Sequence, residues 1–224
     1  MAQRGATGDE AGARPTPRVA ARQADARRRI LEAARVVVAE QGFAAAQVAV
    51  VAAMADVATG SIYRHFPSKA SLFSEMLRMV CVRELEVVRA IVNEPARSAV
   101  DRLGDAVATF VDRALRGEGL AYAVIAEPMD PDVDQVRLEA RAGLAHAFAG
   151  LIEEGIESGE FADQNARVRG AAIVGAFLEG VVAPLAERAV HPPDRRAISG
   201  EIARFCQAAV SGPPSATSTD AARD

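Results

Sequence analysis

Apolar residues recur along this chain with the 3.6-residue period of amphipathic helices, and the periodic stretches are separated by glycine, proline and short polar runs. The first stretch begins near Asp25, a candidate N-cap, and puts Ile30, Leu31, Ala34, Val37 and Val38 on one face. Gly42 stands where that helix should end, and Phe43 should pack back onto the core. A short apolar helix is expected over 47–55, then a turn at Asp56, Val57 and Ala58, then a second short helix over 59–65 stopped by Pro67. Ser68 is a suitable N-cap for a long helix reaching about Val92, with Leu72, Phe73, Met76, Leu77, Val80, Leu85 and Val88 inward and Pro95 ending the unit. Five longer helices are expected beyond it, at about 97–116, 119–127, 132–158, 164–189 and 194–210. The fold class is therefore all-α with about nine helices.

Composition narrows this further. Half of the 224 residues are apolar, enough for one compact unit or two small coupled domains. No apolar stretch reaches 18 residues without a charge, so no membrane span and no membrane partner are expected. The Arg-, Gly- and Pro-rich N-terminus lacks the apolar segment of a secretory signal, which makes the expected location cytoplasmic. Cys81 and Cys206 read as packed thiols in a reducing compartment, with a redox-sensing pair as the alternative; two cysteines alone make no structural zinc site, and no metal or cofactor is expected.

Net charge is −4, yet the charge is unevenly placed. Residues 1–70 hold ten basic and six acidic residues, a balance of +4, and the remainder sums to −8. A basic head on an acidic body suits a protein that meets a polyanion with one end, although chance asymmetry would look the same.

The stretch from Gln47 to Lys69, QVAVVAAMADVATGSIYRHFPSK, carries the candidate chemistry. Two short helices joined by a three- or four-residue turn have the geometry of a helix-turn-helix. Ile62 and Phe66, four apart, can face inward, leaving Thr59, Ser61, Tyr63, Arg64 and His65 toward solvent or DNA. Their hydroxyl, phenol, guanidinium and imidazole groups suit phosphates and base edges, and Gly60 would let the backbone approach DNA closely. Gln47, which can cap the first helix or contact phosphate, and Lys69, the only lysine in the chain, flank the pair and complete the candidate DNA-binding set.

From about Arg28 to Leu77 the chain resembles the DNA-binding domain of the TetR family. The matching elements are Ile30-Leu31-Glu32-Ala33-Ala34, Gly42-Phe43, Val51-Ala52 with Ala55, Gly60 through Phe66, Ser68-Lys69 and Leu72-Phe73. The resemblance implies a homodimeric repressor that leaves a palindromic double-stranded operator when a small, mostly apolar effector binds. With the aperiodic, Gly-, Pro- and Ser-rich ends of the chain read as disordered, it gives the domain plan: a disordered basic arm over 1–23, a DNA-binding domain over 24–70 with its helix-turn-helix at about 47–66, a connecting helix over 71–94, an effector-binding and dimerisation domain over 95–211, and a disordered tail over 212–224. Three positions depart from the family pattern. Ala46 replaces a Ser or Thr, Asp56 replaces the turn glycine, and Ala58 replaces an N-cap Ser whose loss costs roughly 1 kcal/mol unless Thr59 substitutes.

For the second domain the residues speak more quietly. Phe110, Tyr122, Arg141, His146 and Phe177 lie on helices that usually line such effector pockets; core packing and solvation are the competing roles. Ala171, Gly175 and Val182, with Ala172 and Ala176 beside them, form a small-residue stripe suited to a dimer seam or to an ordinary intramolecular helix contact. Pro184 should kink that helix late. An all-helical enzyme is the main rival class, but no nucleophile elbow, phosphate loop, HExxH or Cys/His metal spacing is present. A member that has lost DNA binding and acts as a ligand-binding module is the other.

Overall fold

The computed structural model describes residues 16–187 and 194–212, so residues 1–15 of the arm expected over 1–23, the end of the helix expected to reach 189, and residues 213–224 of the expected tail lie outside the described residues, while 17–23 of that arm are helical rather than disordered. Among the described residues the chain is all-α: α1 (Pro17–Ala45), α2 (Val48–Met54), α3 (Thr59–His65), α4 (Lys69–Val92), α5 (Ala99–Ala126), α6 (Pro131–Glu157), α7 (Ala166–Gly180), α8 (Val182–Glu187) and α9 (Arg195–Val210). Ser68 caps α4 as its sequence requires, its side chain accepting from Ser71 N at 3.0 Å.

Two boundaries differ from expectation, each for a local reason. α1 starts at Pro17, eight residues before Asp25, because proline at the first helical position is already set for helical φ. Asp25 is thus inside the helix and pairs with Arg28 at 2.5 Å rather than capping. The helix containing Pro184 breaks at Val181, between α7 and α8. Proline cannot donate to the carbonyl four residues back, here Gly180, so the ladder is interrupted there. Gly42 does break α1, with φ +74°, and Glu118 (φ +42°) divides α5 where two separate helices were expected.

Two apolar cores follow from this order. The head core collects Ile30, Val37, Phe43, Val51, Ile62 and Phe66, together with Leu72, Phe73, Met76 and Leu77 of α4. The body core is centred on Leu103, Phe110, Phe148, Ile152 and Phe177 and takes Val88 and Val92 from the far end of α4. One helix therefore contributes its first half to one core and its second half to the other. Ala123 of α5 and Val133 and Val136 of α6 also enter the head core, so the two cores touch through packed side chains. Arg102, 3 % exposed, fixes the far end of α4: its Nη1 donates to Val92 O at 2.9 Å and its Nη2 pairs with Glu154 at 2.5 Å. That hydrogen bond holds the Glu154 carboxyl below the usual carboxylate range.

The stretch Ala166–Glu187 is long and apolar enough to cross a membrane by length and composition. It carries Arg167, Arg169, Glu179 and Glu187. In the fold it is divided at Val181, packs against α6 and α9 and lends Ile173, Val174, Phe177 and Leu178 to the body core.

Candidate nucleic-acid interface and regulatory cavity

α3 is held by its buried face. Ile62 (1 % exposed) and Phe66 (0 %) anchor it, and Val57 packs beside them. The turn before α3 survives the absence of glycine because Asp56 takes the left-handed conformation, φ +54°, which aspartate tolerates better than most residues. Neither short helix has a side-chain cap: Ala58 offers none, Thr59 does not replace it, and the Gln47 amide makes no cap bond to α2. Gln47 is left exposed at the start of α2.

The outward face of α3 carries Thr59, Gly60, Tyr63 and Arg64, with Ser61 and His65 half-buried. Tyr63 is 49 % exposed although it is aromatic. Arg64 Nη2 donates to Ser61 Oγ at 2.6 Å, so the two are presented together. Lys69 is exposed at the start of α4, its Nζ 5.7 Å from the Phe73 ring centroid.

Gly60 separates internal from external constraint. A Cβ added there meets nothing within 4 Å, and Gly60 is not among the positive-φ glycines. Alanine should fit and should gain up to about 1 kcal/mol of helix propensity. If the open space belongs to DNA, Gly60→Ala will raise or preserve the melting temperature and still weaken duplex binding. Undiminished binding would show that no ligand backbone comes close there.

The body contains an apolar cavity of about 60 Å³ among α4, α5, α6 and α7, lined by Cys81, Phe110, Val124, Ile125, Leu144 and Leu178. A neighbouring void of about 100 Å³ shares Val80, Glu84, Phe110, Val124 and Ile125 with it. Outside them is a cleft of about 580 Å³ whose walls include Glu32 and Arg35 of α1, Arg83 and Glu84 of α4, and Arg113 and Arg116 of α5. The bidentate pair between Arg113 and Glu84 (2.7 and 2.6 Å) stands between cleft and interior. In the cleft, the Arg35 hydrogen bond holds the Glu32 carboxyl below its ordinary range.

Of the pocket residues expected from sequence, Phe110 and Arg141 line the cavity. Phe177 lies behind it, fully buried with its ring 4.7 Å from that of Phe110. Tyr122 packs half-buried against the core, and His146 is exposed on α6. Arg137 was not anticipated. It joins Arg141 at the cavity wall, and the two guanidinium groups bind the end of α5 and the residue after it: Arg141 Nη2 to Ile125 O at 3.2 Å, Arg137 Nη1 to Glu127 O at 3.0 Å. Glu127 in turn accepts from Phe43 N at 2.9 Å, directly after the Gly42 break. The cavity wall thus reaches the head domain in three residues.

The Cys81 thiol is pushed up to about 11 by burial, with Glu84 adding to it, and burial pushes Cys206 to about 11 as well. Both are thiols, not reactive thiolates, at neutral pH.

The small-residue stripe faces outward. Ala171, Ala172 and Gly175 are exposed, and a Cβ at Gly175 would meet nothing within 4 Å. Val182 is half-buried against the body core instead. Val168 (62 %) of α7 and Phe205 (63 %) of α9, the helix packed against α7, are exposed too. Phe205 was absent from the sequence reading.

These features have close counterparts. The family profile described as bacterial regulatory proteins, tetR family, matches residues 30–76, and the profile described as tetracyclin repressor-like, C-terminal domain, matches residues 96–179. The chain is 33 % identical over 133 residues to the HTH-type transcriptional repressor KstR of Rhodococcus jostii, covering 54 % of this chain and 60 % of that protein. It is 44 % identical over 55 residues to KstR of Mycolicibacterium smegmatis, covering 25 % of this chain and 27 % of that one. These alignments thus span less than two thirds of either relative. Among solved structures, FadR from Bacillus subtilis in complex with stearoyl-CoA superimposes with a TM-score of 0.72 at 22 % identity, covering 82 % of this chain and 98 % of that one. FadR from Bacillus halodurans gives 0.70 at 22 %, covering 80 % and 97 %. With both of its halves matched by profiles of one family, the chain belongs to the TetR family of transcriptional regulators.

Proposed function

We propose that this protein is a cytoplasmic, homodimeric repressor that binds a palindromic operator through two α3 helices and leaves it when a small, mostly apolar effector enters the body cavity. The observation that carries the reading is the two-sided character of α3: Ile62 and Phe66 are buried while Tyr63 and the Ser61–Arg64 pair are presented outward. In this reading Gln47, Tyr63 and Lys69 bind phosphates and Ser61 and Arg64 read bases, with Thr59, Gly60 and His65 completing the contact surface. Residues 24–70 form the reading head, 71–94 the connecting helix, and 95–211 the sensor and dimer seam.

The apolar lining of the cavity supports an apolar effector. Regulation follows from linkage. An effector that favours a spacing of the two α3 helices away from roughly 34–36 Å lowers operator affinity, and DNA lowers effector affinity by the same factor.

In vitro selection from random duplexes should enrich a palindrome. Lys69→Ala should then weaken binding to selected and random duplexes alike and reduce the slope of log K against log salt by about one unit per protomer. Failure to enrich any sequence would sink the DNA-binding reading and favour a ligand-binding module. An unchanged slope would remove Lys69 from the phosphate contacts alone.

A further inference from the structure

We infer that Arg27 is a positioning residue for DNA recognition: it holds the C-terminal end of α3 in place from within the protein, and is not itself a phosphate contact. The inference rests on the DNA-binding reading above. Arg27 opens a run of three arginines on α1 that looks, as sequence, like one cationic patch. In the fold the three part company. Arg28 and Arg29 are the more exposed and, among the described residues, pair only with Asp25 of their own helix. Arg27 is turned inward and makes three contacts outside α1. Its Nη1 donates to the backbone carbonyl of His65 at 2.9 Å, its Nη2 pairs with Glu75 of α4, and its guanidinium carbon lies 4.4 Å from the centroid of the Phe66 ring.

Each contact answers a specific weakness of α3. A seven-residue helix is too short to hold itself. It has no side-chain cap at its N-terminus, and its last carbonyls lack helical partners. The Arg27 guanidinium satisfies one of those carbonyls with a charge-assisted hydrogen bond, at the helix end where positive charge is favourable. It also stacks on Phe66, the fully buried residue that ends α3. Glu75 fixes the guanidinium from the other side. One planar group thus joins α1, α3 and α4, which only arginine can do among the cations; lysine offers a point charge without the fork.

The test uses the full-length protein, a palindromic duplex recovered by in vitro selection and a random duplex of equal length. Binding is followed by fluorescence anisotropy across a salt series, with circular dichroism confirming that every variant is folded. Arg27→Met keeps the stem over Phe66 and loses the polar contacts; Arg27→Lys keeps the charge. Both should weaken binding to the selected duplex by about tenfold or more, leaving the salt slope and the affinity for random duplex unchanged. Glu75→Ala gives the sharper sign. Removing an acid near DNA should tighten binding if charge alone mattered, whereas loss of positioning weakens the selected duplex specifically. Equal loss on both duplexes for Arg27→Met, with a shallower slope, would make Arg27 a phosphate contact and overturn the inference. Wild-type-like recognition in Arg27→Met, or tighter binding in Glu75→Ala, would overturn it too. If Arg27→Met does not fold, Arg27→Lys and Glu75→Ala decide the matter. Absence of any duplex selected by the wild type is a different result, and removes the DNA-binding reading itself.

Discussion

Phe205→Asp should turn the protein into a folded monomer. Phe205 is 63 % exposed on α9, and α7, which packs against α9, exposes Val168, Ala171, Ala172 and Gly175, apolar surface that no described residue of the chain covers. An exposed apolar face of this kind, rimmed by charges such as Arg169, Glu201 and Arg204, marks a partner surface. In a two-fold dimer each residue of the seam counts twice. Burying one phenylalanine ring is worth about 2–3 kcal/mol, so losing two weakens dimerisation by about 4–6 kcal/mol, or at least about a thousandfold. Burying two carboxylates instead costs more. Little of Phe205 is buried within its own chain, so the monomer should keep its helicity and melt cooperatively. The neighbouring residue is the internal control: Cys206, one step round the helix, is fully buried, and Cys206→Asp should unfold the body. Light scattering at micromolar concentration separates the two results. Operator binding should fall with the dimer, because one head alone buries too little surface for a tight site. A Phe205→Asp dimer of wild-type affinity would place the seam elsewhere.

How much of this was legible beforehand follows from how local each signal is. Ser68, Pro67 and the Ile62–Phe66 spacing define α3 and the start of α4 within a few residues of sequence, and both elements stand where they were expected. The start of α1 was missed although Thr16-Pro17 carries the first-turn proline signal, because the surrounding arginines and glycines read as an unstructured arm. Phe205 was missed for a different reason. Helical periodicity shows that a face is apolar, not whether its cover comes from the same chain or from another copy. Arg27 and Arg137 illustrate a third limit. A charged residue on a helix reads as solvated unless its partner is in view, and their partners lie 38 and 10 residues away. The cavity residues divide the same way: Phe110 and Phe177 are equally apolar in sequence, and only packing puts one at the wall and the other behind it.

Gly42→Ala should cost about 2–5 kcal/mol. Two effects converge on it. The residue has φ +74°, where a Cβ is strained by about 1–2 kcal/mol. The added carbon would also stand 2.5 Å from Glu127 Oε1, forcing that carboxylate off Phe43 N and leaving a buried donor unpaired, worth about 1–3 kcal/mol. A double-mutant cycle separates the terms. In a Glu127→Ala background the clash and the hydrogen bond are both gone, so Gly42→Ala should there cost only the backbone strain. The difference between the two backgrounds measures how firmly the turn of the head is tied to the linker between α5 and α6. That linker is held by Arg137 at the cavity wall, and the last turn of α5 before it by Arg141. A molecule entering the cavity and drawing those guanidinium groups off the carbonyls of Ile125 and Glu127 would loosen the support of Phe43, a core residue of the head. Glu127→Ala removes that same support, so it should bind operator more weakly than wild type in the absence of effector and lose part of its response when effector is added. A full response in that variant, with equal Gly42→Ala penalties in both backgrounds, would show that the signal reaches the head along α4 alone.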